Sequence, residues 1–203
     1  MPVDIYQTLT QLNELFQCLV IDMLGYEATG SPADYSEAAY TDVRLSWPTE
    51  GAPSWEVDED VVFLRVFEGD DFINRQRETK VTALTDTTLN EETTYTRVVE
   101  LNLIFYGPNS FDRAQTIRDS FYYDEYHWQL AQSSIYMIPD IEAPRRVPEA
   151  FQGQWWERAD LTLRFNEKIA KNRSINIIES AEFIVYNDDG EQADVTVTMT
   201  TTT

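Results

Sequence analysis

The chain has 203 residues, of which 15 are Lys or Arg, 36 are Asp or Glu and one is His, giving a formal charge of −21. With 42% hydrophobic and 13% aromatic residues it can bury a sizeable core, which excludes an acidic disordered protein and favours one domain over two. So acidic a balance also excludes tight gripping of phosphate backbones, because that affinity comes from Lys and Arg displacing counterions.

Only Lys80, Lys168 and Lys171 are lysines, and the other twelve basic residues are arginines. The planar guanidinium suits bidentate pairing with carboxylates, so this bias points to structural or intersubunit ion pairs. Neither the first 43 residues nor residues 174 to 203 contain any Lys or Arg. Cys18 is the single cysteine, so no internal disulfide is expected, and the opening MPVDIYQ lacks the features of a secretory signal. A cytoplasmic product is the expectation. No run of about 18 apolar residues is present, so no membrane span is predicted.

Ile5, Leu9, Leu12, Phe16, Leu19 and Met23 recur at helical spacing, which predicts an amphipathic helix over residues 3 to 24 with Pro2 at its entrance, Asp4 near its positive end and Gly25 as its stop. A small, polar stretch follows, then a strand from Tyr40 to Trp47 ended by Pro48. Asp60 to Phe67 is nearly all apolar and reads as a buried strand bounded by Gly69, Asp70 and Asp71. The Thr-rich segment 74 to 94 is either an extended hairpin arm or a loose loop. From Tyr95 to Tyr106 the chain alternates, with Val99, Leu101, Leu103 and Phe105 on one face.

Gly107 and Pro108 break that strand, and Asn109 reads as the N-cap of a second helix running to about Leu130 with a break near Tyr123. Ile135 to Ile138 is a short strand, residues 139 to 154 a loop, and Trp155 to Phe165 a strand with Ala159, Leu161, Leu163 and Phe165 on one face. Arg173 to Tyr186 reads as one strand whose two apolar phases imply a bulge. After the turn signal NDDG, Val195, Val197 and Met199 alternate with threonines, as an edge strand or a flexible tail. The order predicts an α+β domain over residues 1–187, a mixed or antiparallel sheet packed on two main helices, followed by an acidic, Thr-rich tail over 188–203.

Chemistry is sparse. One histidine, His127, excludes sites that need two, and it reads as a packing or surface residue without a nucleophile-elbow motif beside it. Cys18, inside the first helix, reads as a small buried hydrophobe. Three carboxylate clusters stand out: Asp58, Glu59 and Asp60; Asp70 and Asp71; Asp188, Asp189 and Glu191. None has metal-ligand spacing, and the plain reading is solvated turns and a sheet rim, the first two at opposite ends of one strand. No glycine-rich phosphate loop exists, so no nucleotide, metal or other cofactor is implied.

The aromatics carry more. Trp47, Trp55, Trp155 and Trp156 lie at or near strand ends beside Pro-containing loops, and Arg145, Arg146 and Arg158 stand close by in sequence. Tryptophan and arginine are the residues enriched at interface hot spots, although core aromatics with surface arginines would give the same composition.

Three runs, EDVVFLRVFEGDDFINRQRE at 59 to 78, YTRVVELNLIFYGPNSFDRAQTIRD at 95 to 119 and PRRVPEAFQGQWWERADLTLRFNE at 144 to 167, resemble the phage neck and tail terminator family. The likeness covers most of residues 4 to 187, and the tail after Tyr186 looks like an addition. It implies a virion structural protein without enzymatic activity, made in the host cytoplasm and placed at the neck. Relatives assemble as rings, usually hexamers, that cap the tail tube protein, meet the head-completion or connector protein and let DNA pass through a channel without gripping it. Copies at −21 repel, so such a ring needs buried contacts and local Arg to carboxylate pairs. Trp47, Trp55, Asp70, Asp71, Arg75, Arg77, Arg145, Arg146, Trp155, Trp156 and Arg158 are the candidate interface residues. The rival readings are another neck or tail component, such as a head-completion adaptor or tube-like protein, and a hydrolase using two carboxyl groups about 5 to 9.5 Å apart.

Overall fold

The computed structural model describes residues 4–25, 42–46, 55–83, 88–151, 153–176, 181–186 and 192–197. Trp47, the polar stretch 26–40, the turn at 187–190 and the last six residues lie outside that set. The chain divides into two compact units, one built from Ile5–Gln76 and Tyr95–Ile169, the other from Met1–Asp4, Arg77–Thr94 and Ala170–Thr203.

The larger unit opens with helix α1, Leu9–Met23. Its start is later than the periodicity predicts, because Thr8 and Gln11 form a capping box: the Gln11 N–H donates to Thr8 Oγ1 at 3.2 Å and the Thr8 N–H to Gln11 Oε1 at 2.8 Å. Two otherwise orphaned donors are satisfied there, and no such pair exists further upstream. Asp4 therefore stands before the helix and not in its first turn. The helix ends, as expected, before Gly25, which has a positive φ of 79°.

Strands β1 (Val43–Leu45), β2 (Val61–Glu68), β4 (Thr88–Tyr106), β9 (Arg158–Asn176) and β5 (Ile135–Met137) lie side by side in the order β1-β2-β4-β9-β5. β1 runs parallel to β2, whereas β2 with β4 and β5 with β9 are antiparallel, so the sheet is mixed. Val62, Leu64 and Val66 on β2, Leu101, Leu103 and Phe105 on β4, and Leu161, Leu163 and Phe165 on β9 are all buried on one face. Against them pack α1, through Leu12, Phe16, Leu19 and Val20, together with α2 (Ser110–Ser120) and α3 (Asp124–Gln132). Phe165 is the hinge pin of this layer, its ring 4.8 Å from that of Phe16 and 5.5 Å from that of Phe121. This is the α+β architecture that the alternating patterns predict.

The second helix breaks near Tyr123 as expected, into α2 and α3 with the break at Phe121–Tyr123. Two local expectations change. Asn109 does not cap α2 with its side chain, because that amide is drawn instead to the Asp60 carboxylate. The loop predicted over 139 to 154 holds β6 (Arg145–Arg146), which pairs with β9, and β7 (Glu149–Phe151), which pairs with β8 (Gln154–Trp156). Strands of two or three residues are too short to show a period.

In the smaller unit β3 (Glu78–Ala83) pairs antiparallel with Leu89–Thr94 of β4, so the segment from 74 to 94 contains a hairpin arm. All six β3 residues are exposed. Asn90 Nδ2 donates to Asn172 Oδ1 at 2.9 Å and Arg173 reaches Glu91 at 2.7 Å, while the Asn172 N–H donates to Asp4 Oδ1 at 2.7 Å. β10 (Ala181–Tyr186) pairs antiparallel with β11 (Gln192–Val197), from Ala181 opposite Val197 to Tyr186 opposite Gln192. The single bulged strand predicted over 173 to 186 is thus two strands, β9 ending at Asn176 and β10 beginning at Ala181. The tail, open between strand and flexible chain on sequence grounds, forms a strand over Gln192–Val197.

Candidate functional site

Six of the candidate interface residues end in two constellations around β2, β4 and β9. The first is aromatic. Trp55 enters just before β2, and its ring lies 4.9 Å from Phe63, 5.6 Å from Tyr106 and 5.8 Å from Trp156. Phe63 on β2 and Tyr106 on β4 alternate with the buried residues of their strands and so share the side of the sheet opposite the core face, and Trp156, from the separate β7–β8 pair, meets the Tyr106 ring at 6.3 Å. The Tyr106 hydroxyl donates to Glu149 Oε2 at 2.9 Å, and Arg158 stands 5.9 Å from the Tyr106 ring centre. Arg158 donates Nε and Nη2 to the two Asp160 oxygens at 2.7 and 2.9 Å, and Nη1 to Glu149 at 3.2 Å. This fork-to-fork geometry fixes the guanidinium. Burial pushes the Tyr106 phenol up to about 12, with the bond to Glu149 adding to it. The Arg158 guanidinium is likewise raised, chiefly by Asp160.

The second constellation is ionic. Asp71 accepts the Ile73 N–H at 3.1 Å at the start of a 3-10 turn, Phe72–Arg75, and accepts from Arg164 at 2.7 Å. Its carboxyl is held below the usual range, first by the Ile73 N–H and then by Arg164. Glu100 lies 3.5 Å from the same arginine. Arg75 reaches Asp70 at 3.0 Å with both side chains exposed.

The remaining candidates stand apart. Trp155 neighbours Trp156 in sequence but points the other way along β8 and is 73% exposed. Arg145 and Arg146 are exposed on β6 and pair with Glu142 and Glu157 at 3.7 and 3.5 Å. Arg77 is exposed immediately before β3. Arg75, Arg145, Arg146 and Arg158, expected to bridge subunits, thus have carboxylates within their own chain. Of these, only Arg158 is half-buried and doubly held.

Sequence reasoning missed two elements. Glu167 is fully buried, with Arg97 Nε 2.8 Å away and the Gln7 N–H 2.7 Å away. A carboxylate in an apolar phase of β9 was the only signal. Asp60 collects the Asn109 N–H at 2.9 Å, Asn109 Nδ2 at 2.7 Å and Arg113 Nε at 3.5 Å, tying the entrance of β2 to that of α2. The acids flanking β2 are therefore at its opposite ends, as expected, and Asp60, Asp70 and Asp71 are each engaged by an arginine. His127 is exposed on α3. Among the described residues no group of three or more His, Cys, Asp or Glu is placed to hold a metal ion, and no helix is long and apolar enough to cross a membrane.

No curated protein matches the chain significantly. A family model for phage neck terminator proteins matches residues 10–200. That span takes in α1, the whole mixed sheet and the strand pair β10 and β11, including the tail that the sequence alone sets apart as an addition. With nearly the full length matched, the chain belongs to the phage neck terminator protein family, a family of virion structural proteins of the phage neck.

Proposed function

We propose that copies of this chain assemble as a ring of about six at the top of the tail. There it caps the tail tube, meets the head-completion or connector complex and leaves a channel for DNA. One surface feature carries the reading beyond family membership. β3 presents six consecutive exposed residues, and among the described residues its outer edge pairs with no strand. An unpaired edge with solvent-facing side chains is a place where a neighbouring chain adds its own backbone. The charge of −21 supports the channel, since an anionic wall lets DNA pass without holding its phosphates.

The exposed arginines suit the same role. Pairs such as Arg75 with Asp70, at 74% and 90% side-chain exposure, contribute little within one chain and can be exchanged for a neighbour's carboxylate at little cost. Repulsion between copies makes the assembly easier to form as salt rises from low to moderate, within the range where it screens like charges without abolishing close pairs.

The test is the mass of the purified protein by light scattering at low and moderate salt, micrographs of any large species, and binding to tail tubes that lack their terminator. Rings, or a monomer that closes into rings on the tube end, are expected. A monomer that also ignores those tubes overturns the reading.

A further inference from the structure

From Asp119 to Pro144 the chain contains no Lys or Arg and carries five carboxylates, Asp119, Asp124, Glu125, Asp140 and Glu142. The same stretch exposes large aromatic side chains: Tyr122 is 42% exposed, Tyr123 60% and Trp128 69%. Local structure explains why they gather. On α3 Tyr126 and Leu130, four residues apart, are buried in the core. Asp124 and Glu125 lie four and three residues before Trp128 and share its outward stripe. The Tyr122 hydroxyl donates to the Pro139 carbonyl at 3.3 Å, which brings the loop bearing Asp140 alongside.

Asp119 has Arg118 at 3.8 Å and Glu142 has Arg145 at 3.7 Å. Among the described residues, Asp124, Glu125 and Asp140 form no ion pair. Solvated helix surfaces ordinarily mix both signs of charge, and clustered Tyr and Trp are the side chains that anchor interfaces. Aromatic faces edged by unneutralised carboxylates favour one kind of visitor, a cation that gains from the ring quadrupole and from the charge together.

We propose that this corner, Tyr122, Tyr123, Asp124, Glu125, Trp128 and Asp140, docks a Lys- or Arg-bearing surface of a different virion protein. A second copy is the poorer fit, because each copy carries −21 and brings that excess of negative charge to an already anionic corner. Nucleic acid is repelled by the same charges. The inference rests on the neck reading for the setting of the partner, and the side chains supply its chemistry.

The experiment places a photo-crosslinking amino acid at position 128, and separately at position 123, in protein supplied to phage lacking their own copy. Purified virions are irradiated and the linked peptides sequenced. A link from either position to another virion protein, through a peptide containing Lys or Arg, is the expected result. Asp124→Lys with Glu125→Lys should lower its yield about tenfold. Links only to further copies of this chain, links to DNA, or no link at either position in virions that contain the protein overturn the docking surface and leave the neck reading intact. Failure of the labelled protein and of the unlabelled one to enter virions overturns both.

Discussion

Gly107 and Asp60 approach so closely that a Cβ at position 107 would lie 2.5 Å from Asp60 Oδ1. It would also meet the Glu59 carbonyl at 2.5 Å, and the backbone φ of 103° is one that side-chain-bearing residues rarely adopt. This glycine lets β4 turn tightly enough for the Asp60 carboxylate to receive the first amide of the following segment. Gly107→Ala is expected to cost about 2 to 4 kcal/mol, read as a lower urea midpoint at unchanged slope. A shift no larger than that of an exposed glycine would show that the turn relaxes.

Arg97 and Glu167 form a pair in which the carboxylate is fully buried and the arginine side chain 20% exposed. Removing one partner leaves a desolvated charge, so Arg97→Met is expected to cost about 3 to 5 kcal/mol. Replacing both with apolar residues should cost much less than the sum of the singles. A double-mutant cycle in urea checks this, and additive losses would mean that solvent reaches Glu167 when its partner leaves.

The surface arginines separate by how they are held. Arg75→Glu, Arg145→Glu and Arg146→Glu are expected to change the stability of the isolated chain by about 0.5 kcal/mol or less. Each should reduce assembly measured by light scattering. Arg158→Ala abandons Asp160, Glu149 and the Tyr106 ring together and is expected to cost about 2 to 3 kcal/mol. Equal losses at all four positions would show that exposure misjudges their roles.

Burial pushes the Cys18 thiol up to about 11, with Glu14 adding to it. At pH 8 its thiolate fraction falls about a hundredfold, and the greater nucleophilicity of a more basic thiolate restores roughly tenfold. Labelling by a disulfide reagent should therefore run about tenfold slower in the native protein than in urea.

Tyr106 and Tyr126 are both raised to about 12, Tyr106 by burial and Glu149, Tyr126 by burial and Asp22. The fold retains the protonated phenols. Their contribution to stability is present in full below the ordinary value of 10.0 and is lost as pH rises through about 12. Phenolate absorbance should show two late-titrating tyrosines, and Tyr106→Phe should remove one and flatten the alkaline loss.

The core was legible because burial imposes a period. Leu101, Leu103 and Phe105, or Leu161, Leu163 and Phe165, announce a sheet face by alternation alone, and Leu12, Phe16 and Leu19 announce the helix that covers it. What escaped was decided by hydrogen bonds with no periodic trace. The start of α1 belongs to Thr8 and Gln11 and not to Pro2, and Asn109 serves Asp60 instead of its own helix. Ile175 and Phe183 look like one bulged strand because sequence spacing does not show where β9 ends and β10 begins. At the site, residue type drew attention to Trp55, Trp156 and Arg158, and the fold brings these three together around Tyr106. Composition gave no warning that the arginines already face carboxylates in their own chain, since their partners lie only two to eleven residues away and the sequence does not show which neighbouring opposite charges turn toward each other.

Strand alignment is normally policed by the core, because sliding one residue along its partner would turn an apolar face toward water. β3 has no such face, and its place beside β4 rests on the backbone hydrogen bonds of the pair. Side-chain substitutions along Glu78–Ala83 therefore have almost nothing to destabilise in the isolated chain. For a geneticist this makes β3 a reporter free of the usual confusion: a lesion there that blocks particle assembly signals a missing contact between proteins and not a misfolded subunit.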